Sequence, residues 1–146
     1  MIAGQMRNHT VVVGYTHLGE RLVTFFREKK VPYCLIEKDK EKVDELLRLG
    51  EPVIVDDARE MDALNDANVF SAKTVILASN NLETTLIVTK RVRQGNKECR
   101  IITRCFQDEF AEIIEFLGAN DVISSSKNAF DNIVEKLKFS DKDHEK

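Results

Sequence analysis

The sequence lacks the features that mark a membrane-spanning, secreted or nucleic-acid-binding chain. None of its apolar runs approaches the ~20 residues needed to cross a bilayer, and no signal peptide is visible. A formal net charge of −3 and the absence of a sustained basic patch give no electrostatic case for nucleic acid. The 146 residues, 42% hydrophobic and 32% charged, are typical of one soluble globular domain with a real core.

Cysteine and histidine are also scarce. The three cysteines, Cys34, Cys99 and Cys105, form no CxxC pair, and two of them fall within or beside predicted strands. An odd count without such spacing predicts buried free thiols in a reducing compartment. No His/Cys/Asp group has the spacing of a zinc site, and we expect His9 and His144 to have no role in binding.

Apolar runs of strand length alternate with helical patterns along the chain. Six predicted strands, each followed by a predicted helix, indicate a parallel sheet covered on both faces. The glycine turn after the first strand favours a Rossmann-like, doubly wound α/β fold with strand order 3-2-1-4-5-6. The predicted strands are Val11–Val13, Pro32–Glu37, Pro52–Val55, Thr74–Ala78, Arg100–Thr103 and Val122–Ile123, and the predicted helices are Leu18–Lys30, Asp39–Leu49, Asp56–Ala67, Leu82–Gln94, Gln107–Leu117 and Lys127–Lys138.

The sequence divides into a short lead, one domain and a polar end. Residues 1–8 lead into the first strand, and residues 9–138 form the domain. Residues 139–146 form a polar tail, the last six residues of which we expect to fray. Either end is consistent with a free-standing protein or with a piece of a larger one.

The passage from the first strand to the next helix is the most informative part of the sequence. Residues 10–19 read TVVVGYTHLG, which predicts a buried strand, a glycine turn and a helix N-terminus. Gly14 and Gly19 fill the first and third positions of a dinucleotide-binding fingerprint, and Thr16 stands at the middle one. Glycines let a backbone approach a phosphate closely, and the N–H groups at a helix N-terminus can bind it.

A carboxylate follows the second predicted strand at a spacing that fits this fingerprint. Glu37 lies 23 residues after Gly14, at the end of the run CLIE. Such an acid accepts hydrogen bonds from the ribose hydroxyls of an adenosine and repels a 2′-phosphate. NADP is therefore disfavoured, although the neighbouring Lys38 weakens that argument. The alternative is that Glu37 is only a solvated strand end.

Further candidates lie beyond the carboxyl ends of the strands, where ligands bind in this fold class. Three of them have open alternatives: Asp57 as a helix N-cap, Arg104 in an ion pair with an acid such as Glu83, and His17 as a solvent-facing turn residue. The candidate nucleotide site consists of Gly14, Tyr15, Thr16, His17, Leu18, Gly19, Glu37, Lys38, Asp57, Ala58, Ser79, Asn80 and Arg104.

Catalysis has little support in the sequence. No Ser/His/Asp or Cys/His arrangement can be placed, and no second domain is seen that would hold the substrate of a dehydrogenase. We therefore predict that the chain senses a nucleotide and is not an enzyme. The rival from the enzyme class is a small NAD-dependent oxidoreductase or epimerase fragment, which would need a Tyr/Lys or His/Asp pair near the nicotinamide.

Six segments, in the same order, resemble the RCK domain, the regulator of potassium conductance, also called the TrkA N-terminal (TrkA-N) or KTN domain. The resemblance covers roughly residues 8–138, nearly all of the chain. The segments read HTVVVGYTHLG from residue 9, LIEKD from 35, VDDA from 55, AKTVILA from 72, IITR from 101 and LGANDVI from 117.

The resemblance implies a regulatory domain of a potassium channel or potassium uptake system on the cytoplasmic side of the cell membrane. Domains of this family form homodimers that assemble into gating rings, and ligand binding in the cleft moves the ring against the pore. The implied ligand is NAD(H) first, followed by ADP, ATP or AMP. The pore can be fused to the chain, or the domain can be a separate subunit of a membrane transporter.

Three residues depart from the family pattern. Thr16 stands where NAD-binding members usually have glycine, Glu37 where they often have aspartate, and Asp56 where glycine usually precedes Asp57 and Ala58. A side chain at position 16 crowds a pyrophosphate, although its hydroxyl can donate a hydrogen bond to it. Glu37 is one methylene longer than aspartate and can still reach a ribose.

Two further comparisons with the family concern ions and partners. The calcium-gated branch has acids after the fourth strand and at the end of the fifth, where this chain has Ser79, Arg104 and Phe106. These residues argue against that calcium site, so no metal ligands are predicted, and calcium is left as a possible ligand that the sequence does not support. Arg104 matches the arginine of the nucleotide-binding branch. The last predicted helix carries an apolar stripe that either faces a partner or packs on its own sheet: Phe130, Ile133, Val134 and Leu137.

Overall fold

The structure, a computed structural model, describes residues 3–138, so the predicted polar tail lies outside the described residues. Within them, strands and α-helices alternate as the sequence predicts. The strands are β1 (Thr10–Val13), β2 (Tyr33–Glu37), β3 (Val53–Val55), β4 (Thr74–Leu77), β5 (Arg100–Cys105) and β6 (Asp121–Ser124), and the helices are α1 (His17–Lys29), α2 (Lys40–Arg48), α3 (Met61–Asp66), α4 (Leu82–Gly95), α5 (Ala111–Leu117) and α6 (Ser125–Lys136).

The six strands form one parallel sheet in the order β3-β2-β1-β4-β5-β6, which confirms the predicted topology. The central strand β1 pairs with β2 on one side and β4 on the other, so that Val13 lies opposite both Ile36 and Leu77. Strand order reverses at this point. In open α/β sheets such a switch point leaves a crevice beyond the carboxyl ends of the strands.

Two apolar layers, one on each face of the sheet, form the core. On one face, α1 and α2 bury Val23 and Leu46 against the sheet. On the other face, Leu64 of α3, Val88 of α4 and Ile114 of α5 make the corresponding contacts. The central strands can be almost wholly apolar because helices cover both of their faces.

All three cysteines are buried and free, which confirms the prediction of buried free thiols. Burial raises the pKa of the Cys34 thiol to about 12. A thiol that remains protonated at neutral pH is a poor nucleophile, so Cys34 acts as a small apolar side chain of β2.

Two helices begin later than predicted. Helix α3 begins at Met61 and not at Asp56, because the Asp57 carboxylate accepts the backbone N–H of Arg59 and turns the chain there. Helix α5 begins at Ala111, since Asp108–Phe110 forms a separate 3-10 turn. The ends of the other predicted elements lie within two residues of the observed ones.

The residues before β1 are tied to the segment that follows α3. The side-chain amide of Asn68 donates a hydrogen bond to the carbonyl of Met6. His9 is only 1% exposed, and its Nε2 lies 2.9 Å from the carbonyl oxygen of Ala67. His9, which has no role in the sequence-based prediction, is therefore a structural residue of the core.

Candidate functional site

A cleft opens at the switch point between β1 and β4. Its cavity of about 60 Å³ is smaller than the ~300–1,000 Å³ of typical ligand pockets, so a nucleotide would have to widen it. Six of the predicted site residues line this cavity, which shows that the structure brings them together. The lining residues are Val13, Gly14, Ile36, Glu37, Lys38, Asp56, Asp57, Ala58, Ser79 and Thr84.

The two glycines of the fingerprint are required by close packing. Gly14 has a φ of 99°, and a Cβ at this position would lie 2.9 Å from the Cα of Ser79. A Cβ on Gly19 would lie 2.0 Å from the carbonyl oxygen of Gly14. Neither position can hold a side chain without movement of the backbone. The glycines thus bring the N-terminus of α1 against the end of β1, as the fingerprint requires.

Thr16, which occupies the middle glycine position, is the N-cap of α1. Its Oγ1 accepts the N–H of Gly19 at 3.2 Å and donates to the carbonyl of Ala78 at 2.7 Å. A hydroxyl at an N-cap satisfies one of the free N–H groups of the helix. Because the hydroxyl proton is directed to Ala78, the structure does not support a hydrogen bond from Thr16 to a phosphate. The N–H groups of His17 and Leu18, also in the first turn, have no partner within the helix and can donate hydrogen bonds to an anion.

Glu37 lies at the end of β2 and is 8% exposed. Its Oε1 accepts the N–H of Tyr15 at 2.7 Å, and its Oε2 accepts the N–H of Asp39 at 2.8 Å. The carboxylate is therefore not a solvated strand end, because it joins β2 to the glycine turn. Each carboxylate oxygen retains a second lone pair, so Glu37 can still accept hydrogen bonds from ribose hydroxyls.

Three side chains of the predicted site point away from the cleft. Tyr15 and Leu18 pack against the core layer formed with α1 and α2. His17 is exposed and lines a shallow groove on the outer face of α1, as its alternative interpretation predicts. At these three positions only the backbone is placed to meet a ligand.

Asp57 contacts an arginine that the sequence does not single out. Arg59 donates from Nη2 to one carboxylate oxygen at 2.6 Å and from Nε to the other at 3.1 Å. Its Nη1 lies 3.2 Å from Oε1 of Glu83 at the start of α4. The hydrogen bonds from Arg59 lower the pKa of Asp57 to about 2. Asp57 is not the helix cap, because the N-cap of α3 is Glu60.

Arg104 lies at the carboxyl end of β5, beside a second, smaller cavity. Its Nη1 donates to Oδ1 of Asn80 at 3.1 Å, and its guanidinium lies 4.6 Å from the ring centre of Phe106. The alternative ion pair with Glu83 is not formed, since Glu83 pairs with Arg59. Among residues 3–138, no carboxylate forms a salt bridge with Arg104. The cavity is lined by Ser79, Asn80, Asn81, Leu82, Thr85, Arg104, Cys105, Phe106, Gln107 and Ile114.

The part of the chain that the structure describes holds neither a cluster of metal ligands nor a membrane-spanning helix. Over residues 3–138, no three His, Cys, Asp or Glu side chains come together as metal ligands would. No helix in this same range combines the length and the apolar character that a bilayer crossing requires.

The strand order, the glycine turn and the buried acid at the end of β2 define a Rossmann-like domain. The model of the TrkA-N domain family matches residues 10–125. The chain therefore belongs to the TrkA-N family, which confirms the resemblance seen in the sequence.

Two relatives illustrate where such domains occur. YbaL of Escherichia coli (strain K12) is 27% identical over 130 residues, and potassium channel protein 1 of Methanocaldococcus jannaschii is 24% identical over 121 residues. These matches cover 89% and 82% of this chain, but only 23% and 36% of the two relatives. The chain thus spans a minor part of the length of the proteins it resembles.

Three solved structures share the fold. The TrkA-N domain of the inner membrane protein YbaL from Escherichia coli matches with a TM-score of 0.87 and 26% identity, over 91% of this chain and 98% of that one. The Kef CTD of Shewanella denitrificans in AMP-bound form matches with 0.77 and 17%, over 90% and 80%. The GsuK channel bound to NAD matches with 0.72 and 18%, over 82% and 22%. At such low identity the last two show the fold alone.

Proposed function

We propose that the cleft binds an adenine nucleotide and that the domain thereby regulates a potassium channel or transporter. The observation that carries this proposal is the buried carboxylate of Glu37, which lines the cleft beside Gly14 and the N-terminus of α1. A carboxylate in this position accepts hydrogen bonds from ribose hydroxyls, and the N–H groups at the helix N-terminus donate hydrogen bonds to a phosphate. The name of potassium channel protein 1 and the AMP and NAD in the solved structures support the proposal.

NAD(H) is the first ligand that we propose, followed by ADP, ATP and AMP. A 2′-phosphate would meet the Glu37 carboxylate, so NADP is disfavoured. Arg104 contacts Asn80, the residue after Ser79 in the lining of the cleft. Among residues 3–138, it forms no salt bridge with an acid. It is placed to contact a second phosphate or the far half of a dinucleotide.

Calorimetric titration tests the nucleotide site directly. NAD⁺, NADH, ADP, ATP, AMP, NADP⁺ and calcium are each titrated into the wild-type chain, and at least one nucleotide should bind at micromolar concentration. Glu37→Gln should weaken that nucleotide by about 1–3 kcal/mol, since charge-assisted hydrogen bonds to the ribose are lost. Glu45→Gln, on the exposed face of α2, is the matched control and should bind as the wild type does.

Glu37 also accepts two backbone N–H groups, so the effect of its substitution on stability must be separated from its effect on binding. Thermal unfolding of Glu37→Gln shows whether the variant is folded at the temperature of the titration. A folded variant that binds as the wild type does would exclude Glu37 as a ribose ligand. A wild-type chain that binds none of the nucleotides at concentrations up to millimolar would refute the proposed function.

Helix α6 offers a surface through which the domain can form a homodimer. No residue of α6 is buried, and Phe130, Ile133 and Leu137 are 64%, 59% and 61% exposed. For these three residues the alternative that the stripe packs on its own sheet is therefore wrong in the single chain, whereas Val134, the fourth residue of the stripe, is half-buried. We infer that the stripe covers the same stripe of a second copy, and that a nucleotide regulates transport by favouring one arrangement of the two copies over another.

Sedimentation velocity over a range of protein concentrations tests the homodimer. The wild type should sediment as a dimer, and Ile133→Glu as a monomer, because a charge would be buried in the apolar interface. Asn132→Glu, on the opposite side of α6, is the matched control and should remain dimeric. A wild type that stays monomeric, or an Ile133→Glu variant that stays dimeric, would contradict this part of the proposal.

We propose no catalytic role, and place the domain on the cytoplasmic side of the membrane. The residues that line the cavity of the cleft include no His, Cys or Tyr side chain that would serve as a proton donor or a nucleophile for an oxidoreductase or epimerase. The genomic reading frame separates the two remaining arrangements. Apolar helices encoded directly before the lead indicate a fused pore, and their absence indicates a separate regulatory subunit.

A further inference from the structure

Acids outnumber bases around the cleft. The charged residues that line it are the acids Glu37, Asp56 and Asp57 and the base Lys38. Arg59 contacts Asp57, and the acid Glu83 contacts Arg59 in turn. A nucleotide adds the negative charges of its phosphates to this group. The position of each base around the cleft therefore affects which nucleotides the site accepts.

Arg59 is the base that contacts two of these acids at once. Its guanidinium donates two hydrogen bonds to the carboxylate of Asp57 in the β3–α3 loop and forms a salt bridge with Glu83 on the first turn of α4. Glu83 directly precedes Thr84, which lines the cleft. The Arg59 side chain thus links the β3–α3 loop to the first turn of α4, the two segments that contribute Asp57 and Thr84 to the lining.

The backbone of Arg59 is fixed as well as its side chain. Its N–H donates to the Asp57 carboxylate at 2.9 Å, and its carbonyl accepts a hydrogen bond from the guanidinium of Arg91 on α4. Arg59 is only one-third exposed, unlike a surface arginine that samples many rotamers. Its charge therefore has a defined position relative to the cleft.

We propose that Arg59 is a specificity-determining residue of the cleft, which offsets part of the negative charge of Asp57 and Glu83 and so allows the site to accept nucleotides of high negative charge. This inference rests on the proposed function, because it concerns the same cleft. It assigns Arg59 two separable effects. Its positive charge raises the affinity for the ligand with each added phosphate. Its hydrogen bonds hold the Asp57 carboxylate in one orientation toward the adenosine end of the ligand.

Titration with a series of ligands that share adenosine and carry an increasing number of phosphates tests the proposal. Adenosine, AMP, ADP and ATP are titrated without magnesium into the wild-type chain, Arg59→Gln and Arg59→Lys. For phosphates at roughly 10 Å and physiological salt, Arg59→Gln should weaken AMP about threefold and ATP about eightfold relative to adenosine. Arg59→Lys keeps the charge and should show the wild-type ratio between ATP and adenosine.

Two matched variants complete the experiment. Arg48→Gln removes the same charge from the carboxyl end of α2, where Arg48 pairs with Glu45, and should leave the ratio of ATP to adenosine affinity unchanged. Glu83→Gln removes an acid that Arg59 contacts, and should shift this ratio in favour of ATP. It also keeps the test available if Arg59→Gln does not fold.

The outcomes distinguish this inference from the proposed function. A wild type that binds nucleotides, with the same ratio of ATP to adenosine affinity in Arg59→Gln, would overturn the role of Arg59 and leave the nucleotide site standing. If Arg59→Gln does not fold, an unchanged ratio in Glu83→Gln would overturn it. A wild type that binds no nucleotide at all would refute the proposed function itself.

Discussion

The contact between Gly19 and Gly14 allows a sharp test of how the glycine turn is built. In the structure, the Cβ of an alanine at position 19 would lie 2.0 Å from the carbonyl oxygen of Gly14. Favourable contacts of carbon with a carbonyl oxygen begin at about 3.3 Å. For Gly19→Ala, helix α1 would therefore have to move away from β1 by about 1.3 Å, the difference between these two distances.

The expected magnitude follows from two opposing effects. Alanine is favoured over glycine inside a helix by about 1 kcal/mol, which by itself predicts a more stable protein. Forcing an extra methyl group into packed backbone costs about 3 kcal/mol or more, at the upper end of the usual range for overpacking. We expect the second effect to dominate, so that Gly19→Ala lowers the free energy of unfolding by about 2 kcal/mol.

Urea unfolding followed by circular dichroism measures this difference, with two other glycines for comparison. Gly95→Ala would overlap only the ring of Phe70, at 2.2 Å, and a side chain can move aside. Gly50→Ala has open space around it but a φ of 74°, which costs about 1–2 kcal/mol for a side chain. A Gly19→Ala protein as stable as the wild type would refute the reasoning, because it would show that α1 and β1 are not in backbone contact.

Three further predictions concern the N-cap of α1, the Asp57 carboxylate and the Cys34 thiol. Thr16→Val should lower the free energy of unfolding in urea by about 1–2 kcal/mol, because the cap of α1 is lost, and Thr16→Ser should restore most of it. The pKa of Asp57 is lowered to about 2, so its stabilising contribution is complete above the ordinary Asp pKa of about 3.9 and is lost as the pH falls through 2. Between pH 4 and pH 2, wild-type stability should thus fall by about 1 kcal/mol more than that of Asp57→Asn, and equal slopes would contradict this account. With its thiol pKa raised to about 12, Cys34 should not react with Ellman's reagent at pH 8 in the native protein and should react once it is unfolded in urea.

The sheet topology could be predicted because its signals are local. Strand β1 is an apolar run that ends at a glycine, and the N-cap of α4 is Asn81, whose side chain accepts the N–H of Thr84. Each such signal lies within a few residues of the element that it defines. Six of them in alternation are enough to set the order of a parallel sheet.

The side-chain contacts of the cleft could not be predicted in the same way. The Thr16 hydroxyl bonds to a carbonyl 62 residues away, and Arg59 contacts Glu83 on the next helix, so both depend on where loops meet in space. The Asp57–Arg59 contact did have a local signal, since an Asp followed two residues later by its partner is typical of a turn. That the cleft residues bind a nucleotide stays a prediction.

The attachments of the lead have a mechanical consequence. A force applied to the chain at Met6 would act on β1 through the backbone. It would also act on the segment after α3, through the Asn68–Met6 and His9–Ala67 hydrogen bonds. At its other end, the six-residue helix α3 continues directly from the loop that holds Asp57 and Arg59. The lead is thus attached at the carboxyl end of α3 and the loop that lines the cleft at its amino end, so any displacement of this one short helix moves both.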